Sequence, residues 1–349
     1  MIYLNTAGVG RLSEASVEAA YQIMKEMTGN ASLVANKWRF EELEKTRVDA
    51  AYFLGTSPKN LAFIPNTSAG INYVASAIHD RKRVLTVQND FPSIEMPWEL
   101  RGCEITRVSL NADECFRASE IKNALKESNA EILVLSHVQW NTGYTADIKD
   151  ICHFCKEEGI ISVIDATQSY TSLVINADEI QADVVLASSY KWMNAAFGLG
   201  VMAVSPSFLE QYPPVSAGYG SIDWAGDQQY HADAKGYEPG SLNVVSLVML
   251  SESLREKRAL TLEGIQEHTL KLARQLSEGL SDAGFEVVGQ SEGARSGIVS
   301  IRTKDRLHSY LESKEIYTTE RSGFIRFGIH HSNTAEEIQQ TIEAIRAFT

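Results

Sequence analysis

At 349 residues the chain exceeds the usual size of one single-core domain, so one large domain plus a smaller one is expected. Hydrophobic residues at 44% and charged residues at 22% exclude intrinsic disorder, and a net charge of −13 makes nucleic acid or an anionic membrane surface a poor partner. A small anion remains a possible ligand, because backbone amides and a few local cations suffice to hold one.

Met1-Ile2-Tyr3-Leu4-Asn5 has no basic region followed by an apolar core, so no signal peptide is expected. The first helix is expected over Glu14–Met27. Short apolar runs then alternate with helical patterns: Leu61–Pro65, Val84–Val87, Ile105–Leu110, Glu131–Ser136, Ile160–Ile164, Val184–Ala187 and Val201–Val204 read as strands, and Ile71–Ile78 and Lys149–Glu157 as two of the intervening helices. Continuously apolar strands separated by helices predict a mostly parallel sheet buried on both faces. The longest nearly uncharged stretch, Val184 to Leu209, carries Lys191 and is broken by Ser, Asn, Gly and Pro, which is not a spanning helix. Four cysteines, at 103, 115, 152 and 155, are too few for a disulfide scaffold, and a reduced, cytoplasmic protein is expected.

Tyr212–Ser241, rich in Gly, Tyr and Ser, reads as a long functional loop. Beyond about residue 250 the pattern becomes α+β. His268–Ala283 aligns Leu272, Leu276 and Leu280 on one helical face, Phe285–Val288, Gly297–Ile301 and Arg326–Ile329 are strand-like, and Thr334 and Glu337 have capping-box spacing before Ile338, Ile342 and Ile345. The expected division is a large domain over 14–250 and a small one over 251–349, with residues 1–13 packing near the small domain.

Lys191, in Ser188-Ser189-Tyr190-Lys191-Trp192, is the only charged residue between Asp183 and Glu210. It is either exposed on a loop or a desolvated amine kept for chemistry, and a lysine of depressed pKa is what a Schiff base with an aldehyde cofactor needs. Asp165 ends an apolar strand one strand earlier, where carboxyl ends of parallel strands face a ligand crevice, although it could equally cap the next helix. A lysine for the aldehyde and an acid for the ring nitrogen is the pair that pyridoxal phosphate requires. Asn66-Thr67-Ser68-Ala69-Gly70, between a strand and a helix, offers free amides and two hydroxyls as an anion cradle, or ordinary capping by Thr67 or Ser68. Cys152 and Cys155 lie three apart in a helical pattern and read as a buried face without a metal. His330 and His331 would point to opposite faces of a strand.

Together these residues resemble the class V aminotransferase family of fold-type-I pyridoxal-phosphate enzymes, which includes cysteine desulfurases, kynureninases and isopenicillin N epimerase-like proteins. Tyr3-Leu4-Asn5-Thr6-Ala7, the Asn66–Asn72 turn, Asp165-Ala166-Thr167-Gln168, the lysine motif, and Arg326 followed by Asn333-Thr334-Ala335-Glu336-Glu337 carry the likeness in order. The resemblance implies a fold-type-I transferase with a mostly parallel seven-stranded sheet, in which Val201–Val204 is the one antiparallel strand, and a small C-terminal α+β domain. It implies that Lys191 forms the Schiff base and moves the substrate's Cα proton, and that Asp165 pairs with the pyridine nitrogen and Gln168 with the ring hydroxyl. Thr67, Ser68, Ser188 and Tyr190 would hold the phosphate, Phe91 would stack on the ring, and Arg326 would bind the carboxylate of an amino acid substrate. Ser241 would reach the phosphate of a neighbouring subunit, implying a homodimer with shared active sites.

Tyr190 and Phe91 side with kynureninase-like members, since desulfurases carry His at both positions. Desulfurases also place Asn where this chain has Trp140, followed by Asn141, and a catalytic cysteine on a loop before the C-terminal arginine. The equivalent stretch here, Tyr317–Ile325, has none. The resemblance therefore favours an aminotransferase-type reaction over desulfuration, with C–S lysis or epimerisation as the alternatives. A nucleotide-binding dehydrogenase lacks its glycine fingerprint here, and a non-catalytic relative would not need the retained Lys, Asp, Gln and Arg.

Overall fold

A computed structural model describes residues 1–226, 228–290 and 295–348. Its strands are, in order, β1 (Ile2–Tyr3), β2 (Leu61–Ile64), β3 (Arg83–Val87), β4 (Glu104–Val108), β5 (Ile132–Ser136), β6 (Ile161–Asp165), β7 (Val184–Ser188), β8 (Gly200–Val204), β9 (Val287–Val288), β10 (Ile298–Arg302), β11 (Ile316–Tyr317), β12 (Thr319–Arg321) and β13 (Phe324–Gly328). All seven expected strands of the first half join one sheet in the order β2-β8-β7-β6-β5-β3-β4. Only β8 runs against the rest: it pairs antiparallel with both β2 and β7, and every other pairing is parallel.

The apolar runs have a direct cause in the layering. Along β5 and β7, Leu133, Leu135, Val185 and Ala187 enter one core, while Ile132, Val134, Val184 and Leu186 enter the other. With both faces covered by helices, no position on these strands can afford a charge. Helix Thr67–Ala77 lies so close to the sheet that a Cβ on Gly70 would sit 2.4 Å from Leu186 Cδ2 and 2.7 Å from Ile64 Cδ1.

The stretch Glu14–Lys37 is two helical segments joined across a kink at non-helical Asn30, the first ending near the expected Met27. Residue 250, the expected domain boundary, lies inside helix Val244–Leu260, whose Leu247, Leu250 and Leu254 pack in the core of the large domain. The last third builds the antiparallel sheet β12-β13-β10-β9 against helices Leu262–Asp282, Leu307–Ser313 and Ala335–Phe348. Leu272, Leu276, Leu280, Ile338, Ile342 and Ile345 share its core with Ile2 and Leu4, because β1 pairs in parallel with β11. The capping box forms: Glu337 N–H donates to Thr334 Oγ1 at 3.1 Å and Thr334 N–H to Glu337 Oε2 at 3.0 Å. Among the described residues, Tyr212–Ser241 holds short 3₁₀ turns and an isolated bridge between Ile222 and Tyr230, and it is pinned at its end by Glu238. That carboxylate takes Phe63 N–H at 2.7 Å and Arg47 Nη2 at 3.0 Å in the buried interior.

His330 and His331 depart from expectation. β13 ends at Gly328, so the two histidines follow the strand rather than belong to it. Their rings pack on each other with centroids 3.8 Å apart. Cys152 and Cys155 are fully buried on the inner face of helix Ile148–Glu157, and burial pushes the Cys155 thiol up to about 12.

Gly70→Ala decides between two opposed effects. Removing a helical glycine gains about 0.5–1 kcal/mol of helix propensity, whereas overpacking against Leu186 and Ile64 costs about 1–3 kcal/mol. Thermal unfolding should show a lower Tm for the variant; a raised Tm would mean that the helix shifts freely off the sheet.

Candidate active site

Carboxyl ends of β2, β3, β5, β6 and β7 converge on one cavity of about 430 Å³, as a switch between parallel strand directions predicts. It is lined by residues that follow each strand: Asn66–Ser68 after β2, Phe91 and Ser93 after β3, Trp140 after β5, Asp165 and Gln168 from β6, and Tyr190 and Lys191 after β7.

At one end the chain turns from β2 into helix Thr67–Ala77. Asn66, not Thr67 or Ser68, is the cap: its Oδ1 accepts Ala69 N–H at 2.9 Å. Both hydroxyl residues are therefore released from capping. Thr67 N–H donates to Ser188 Oγ at 3.0 Å, Thr67 Oγ1 lies 2.8 Å from Thr167 Oγ1, and Ser68 Oγ lies 2.7 Å from Ser93 Oγ. These hydroxyls, with the helix N-terminus, form a neutral, donor-rich cradle suited to a phosphate dianion. Tyr190 stacks on Phe197 at 4.6 Å beside it.

Asp165 and Lys191 face the middle of the cavity and are only 7% and 8% exposed. Asp165 Oδ1 accepts Thr167 N–H at 2.8 Å, the capping role that its position also suggested, while Oδ2 receives no hydrogen bond among the described residues. Burial raises the Asp165 pKa against the opposing effects of Thr167 and Lys191. Lys191 is pushed down from 10.5 to about 8, first by desolvation; Asp165 opposes the drop, and Arg326 and Arg321 add to it. Its loop is pinned from three sides. Ser189 Oγ donates to Leu199 O at 2.8 Å, Asn194 N–H donates to Lys191 O at 3.0 Å, and Gly10 N–H donates to Tyr190 O at 2.8 Å. Gly10 approaches so closely that a Cβ there would lie 1.9 Å from Lys191 O.

Phe91 sits 5.7 Å from Lys191 Nζ, ring centroid to nitrogen, and edge-on to Trp140 at 5.9 Å. Gln168 reaches the cavity, but its amide is engaged: Nε2 donates to Ala7 O at 3.0 Å and Oε1 accepts Trp192 Nε1 at 2.8 Å. Arg326, buried on β13, stands behind the lining. One guanidinium nitrogen donates to Trp140 O, and Nε has no partner. Desolvation and Arg321 depress it to about 10. Ser241 is exposed and outside the cavity lining of its own chain.

Three buried groups were not singled out from sequence. Asp90 ends the turn after β3 and fixes Ser136 (N–H 2.9 Å, Oγ 2.6 Å) and Phe91 N–H (2.7 Å); burial lifts it to about 6. Its place after a strand, one residue before Phe91, is the same signal that marked Asp165. His137 pairs with Ser169 Oγ at 2.9 Å and is pushed down to about 4 by burial, so it stays neutral. Lys257 donates to Asn194 Oδ1 at 2.7 Å beneath the Lys191 loop.

The donor set fits pyridoxal phosphate: a desolvated amine, an open buried carboxylate oxygen, an aromatic wall and a hydroxyl cradle surround one cavity. Among the described residues no group of His, Cys, Asp and Glu could hold a metal, and no helix is long and apolar enough to cross a membrane.

Comparison with known proteins gives the family and the fold. The sequence profile of the class V aminotransferases matches residues 2–341. The uncharacterized aminotransferase YcbU of Bacillus subtilis is 23% identical over 89% of this chain and 86% of its own. A probable cysteine desulfurase of Methanothermobacter thermautotrophicus is 25% identical over 99% and 94%. The solved complex of the cystine C–S lyase C-DES with its product cysteine persulfide superposes with a TM-score of 0.89 at 20% identity, covering 99% of this chain and 97% of that one, a likeness of fold.

Lys191 should therefore react as an amine with a pKa near 8 rather than 10.5. Reductive methylation of cofactor-free protein, mapped by peptide mass spectrometry across pH, should rise at Lys191 through a midpoint near 8. Asp165→Asn removes the negative charge that favours the ammonium form and should lower the midpoint further. A wild-type midpoint near that of exposed lysines would contradict the burial argument.

Proposed function

The chain belongs to the class V aminotransferase family, a family of pyridoxal-phosphate enzymes, and we propose that it transfers the amino group of an amino acid, leaving a 2-oxo acid. The observation that carries the reading is the buried pair Lys191 and Asp165, each in the protonation-tuned setting its role needs, in a cavity that no thiol lines among the described residues. A persulfide-forming desulfurase needs a thiolate beside the substrate sulfur. Cys103, Cys115, Cys152 and Cys155 all lie elsewhere.

Pyridoxal phosphate, when bound, supplies an aldehyde for the amine and a ring that withdraws electrons from the bonds at the substrate's Cα. Lys191 Nζ, part-neutral near pH 8, is the amine that would hold the aldehyde and the base that would move the substrate's Cα proton. Asp165 would keep the ring nitrogen protonated through a charge-assisted hydrogen bond. Phe91 would cover the ring, Thr67, Ser68, Ser188 and Tyr190 would hold the phosphate, and Gln168, steadied by Ala7 and Trp192, would serve the ring hydroxyl. Arg326, short of one partner at Nε, takes the substrate carboxylate.

The cradle contains no cation, so it has room for a further donor. In this reading Ser241, exposed on its own chain, serves the cavity of a second copy in a homodimer with shared active sites. The partners are thus an amino acid and a second subunit, with no nucleic acid or membrane, and the setting is cytoplasmic; the −13 charge is consistent with this. A second reading is C–S lysis, favoured by the fold likeness to C-DES; it uses the same residues up to removal of the Cα proton.

Borohydride reduction followed by peptide mapping should put the pyridoxyl label on Lys191, and Lys191→Ala should lose both label and turnover. In a single turnover with an amino acid panel, one equivalent of 2-oxo acid should form while the cofactor is recovered in its amine form. Release of pyruvate or sulfide with the cofactor still an aldehyde would replace this reading by the lyase.

A further inference from the structure

The hairpin β12–β13 turns at Ser322 and Gly323, whose φ values of 51° and 83° are both positive, the signature of a tight two-residue turn. Its register sets Arg321 opposite Phe324 and Thr319 opposite Arg326, so Arg321 and Arg326 stand on one face of the hairpin as diagonal neighbours. Glu320, between Thr319 and Arg321, faces the other way and approaches His308 at 4.0 Å. Short loop and fixed register mean that neither arginine can move far from the other.

Both guanidinium groups meet Trp140, which lines the cavity. Arg321 lies 4.9 Å and Arg326 6.0 Å from its ring centroid. The indole is held in place, since Nε1 donates to Asn89 O at 3.1 Å and Phe91 packs edge-on against it. Among the described residues no carboxylate forms an ion pair with either arginine, and the exposed Arg321 side chain makes no hydrogen bond. Two like charges side by side without a counter-ion are unfavourable, and Arg321 adds to the desolvation that lowers Arg326. In a chain of net charge −13, buried Arg326 behind the lining and exposed Arg321 beside it, both against Trp140 and neither ion-paired among the described residues, suit a ligand with two anionic groups. One is the α-carboxylate that Arg326 takes in the proposed reaction. The phosphate is served by the hydroxyl cradle and does not account for the second.

Resting on that reading of the site, the geometry points to Arg321 as the residue that selects amino acids whose side chain carries a second anionic group, a carboxylate or sulfinate, held against the face of Trp140. Arg321 is a specificity residue and not part of the proton-transfer machinery.

The test uses the holoenzyme and compares L-aspartate, L-glutamate and cysteine sulfinate with asparagine, glutamine and alanine. Wild type should favour the acidic series. Arg321→Ala should lower kcat/KM for that series by on the order of tenfold to a hundredfold, the worth of a charge-assisted hydrogen bond, chiefly through KM, and leave the neutral series unchanged. Arg321→Lys should restore part of the preference, because the charge returns without the planar fork. Which acidic substrate is best distinguishes carboxylate from sulfinate. Equal use of acidic and neutral substrates by wild type overturns the inference alone. So does a parallel loss in both series for Arg321→Ala, which would mean that Arg321 only steadies Trp140. A protein that takes no pyridoxyl label at Lys191 overturns both the inference and the function beneath it.

Discussion

Desolvation of Lys191 is the constraint from which the rest of the site follows. A fall from 10.5 to about 8 corresponds to roughly 3 kcal/mol of disfavoured charge, a large part of a domain's net stability. The fold keeps this amine buried because the strands around it are mostly apolar, and offsets the cost with one carboxylate, Asp165, at the end of β6. Asp165 in turn needs burial to remain close without being solvated, which is why it ends a strand whose register partner is Ser136. Parallel strand direction then brings the phosphate cradle after β2 to the same edge. One edge of one sheet thus carries the amine, the acid and the anion site together.

Much of this was legible because the physics was local. Seven strands could be read from apolar runs since both faces of the sheet are buried, and the single reversed strand β8 follows from the short connection after Lys191. Lys191 and Asp165 were visible as charges where the surrounding pattern forbids them. The capping box at Thr334 and the helical spacing of Leu272, Leu276 and Leu280 were equally local and hold in the structure.

What could not be read depends on contacts distant in sequence. Asp90 looks like any turn acid until β5 brings Ser136 against it. Gln168 carries the motif, but its amide is steered by Ala7 and by Trp192, residues on two other segments. The first helical segment breaks at Asn30, close to the expected Met27; what was not read is the second segment to Lys37, which Asn30 caps by accepting Leu33 N–H. His330 and His331 were misread as strand because apolar Ile329 prolongs the pattern by one residue, whereas pairing with β10 stops at Gly328. The boundary expected at residue 250 rested on a change of pattern, and helix Val244–Leu260 belongs by its packing to what precedes it.

Three buried cations show how the same penalty is met in different ways according to purpose. Arg47 keeps its charge: Glu238 and Leu61 O satisfy its fork, burial is compensated by direct pairing, and its pKa rises. That arrangement is structural, because losing either partner would strand a charge at a cost of about 3–5 kcal/mol. Lys257 has only neutral acceptors, Asn194 and Ser253, and burial lowers it to about 7, so its charge is barely supported. Lys191 lies between these cases, with an attractive carboxylate near but not bonded and two repelling arginines beyond it. A direct ion pair would have made it as inert as Arg47. Removing Asp165 would leave an amine neutral too far below the working range to return a proton. A carboxylate that is near but unbonded, at the end of β6 and facing the turn after β7, is therefore what makes this buried lysine reactive rather than merely tolerated.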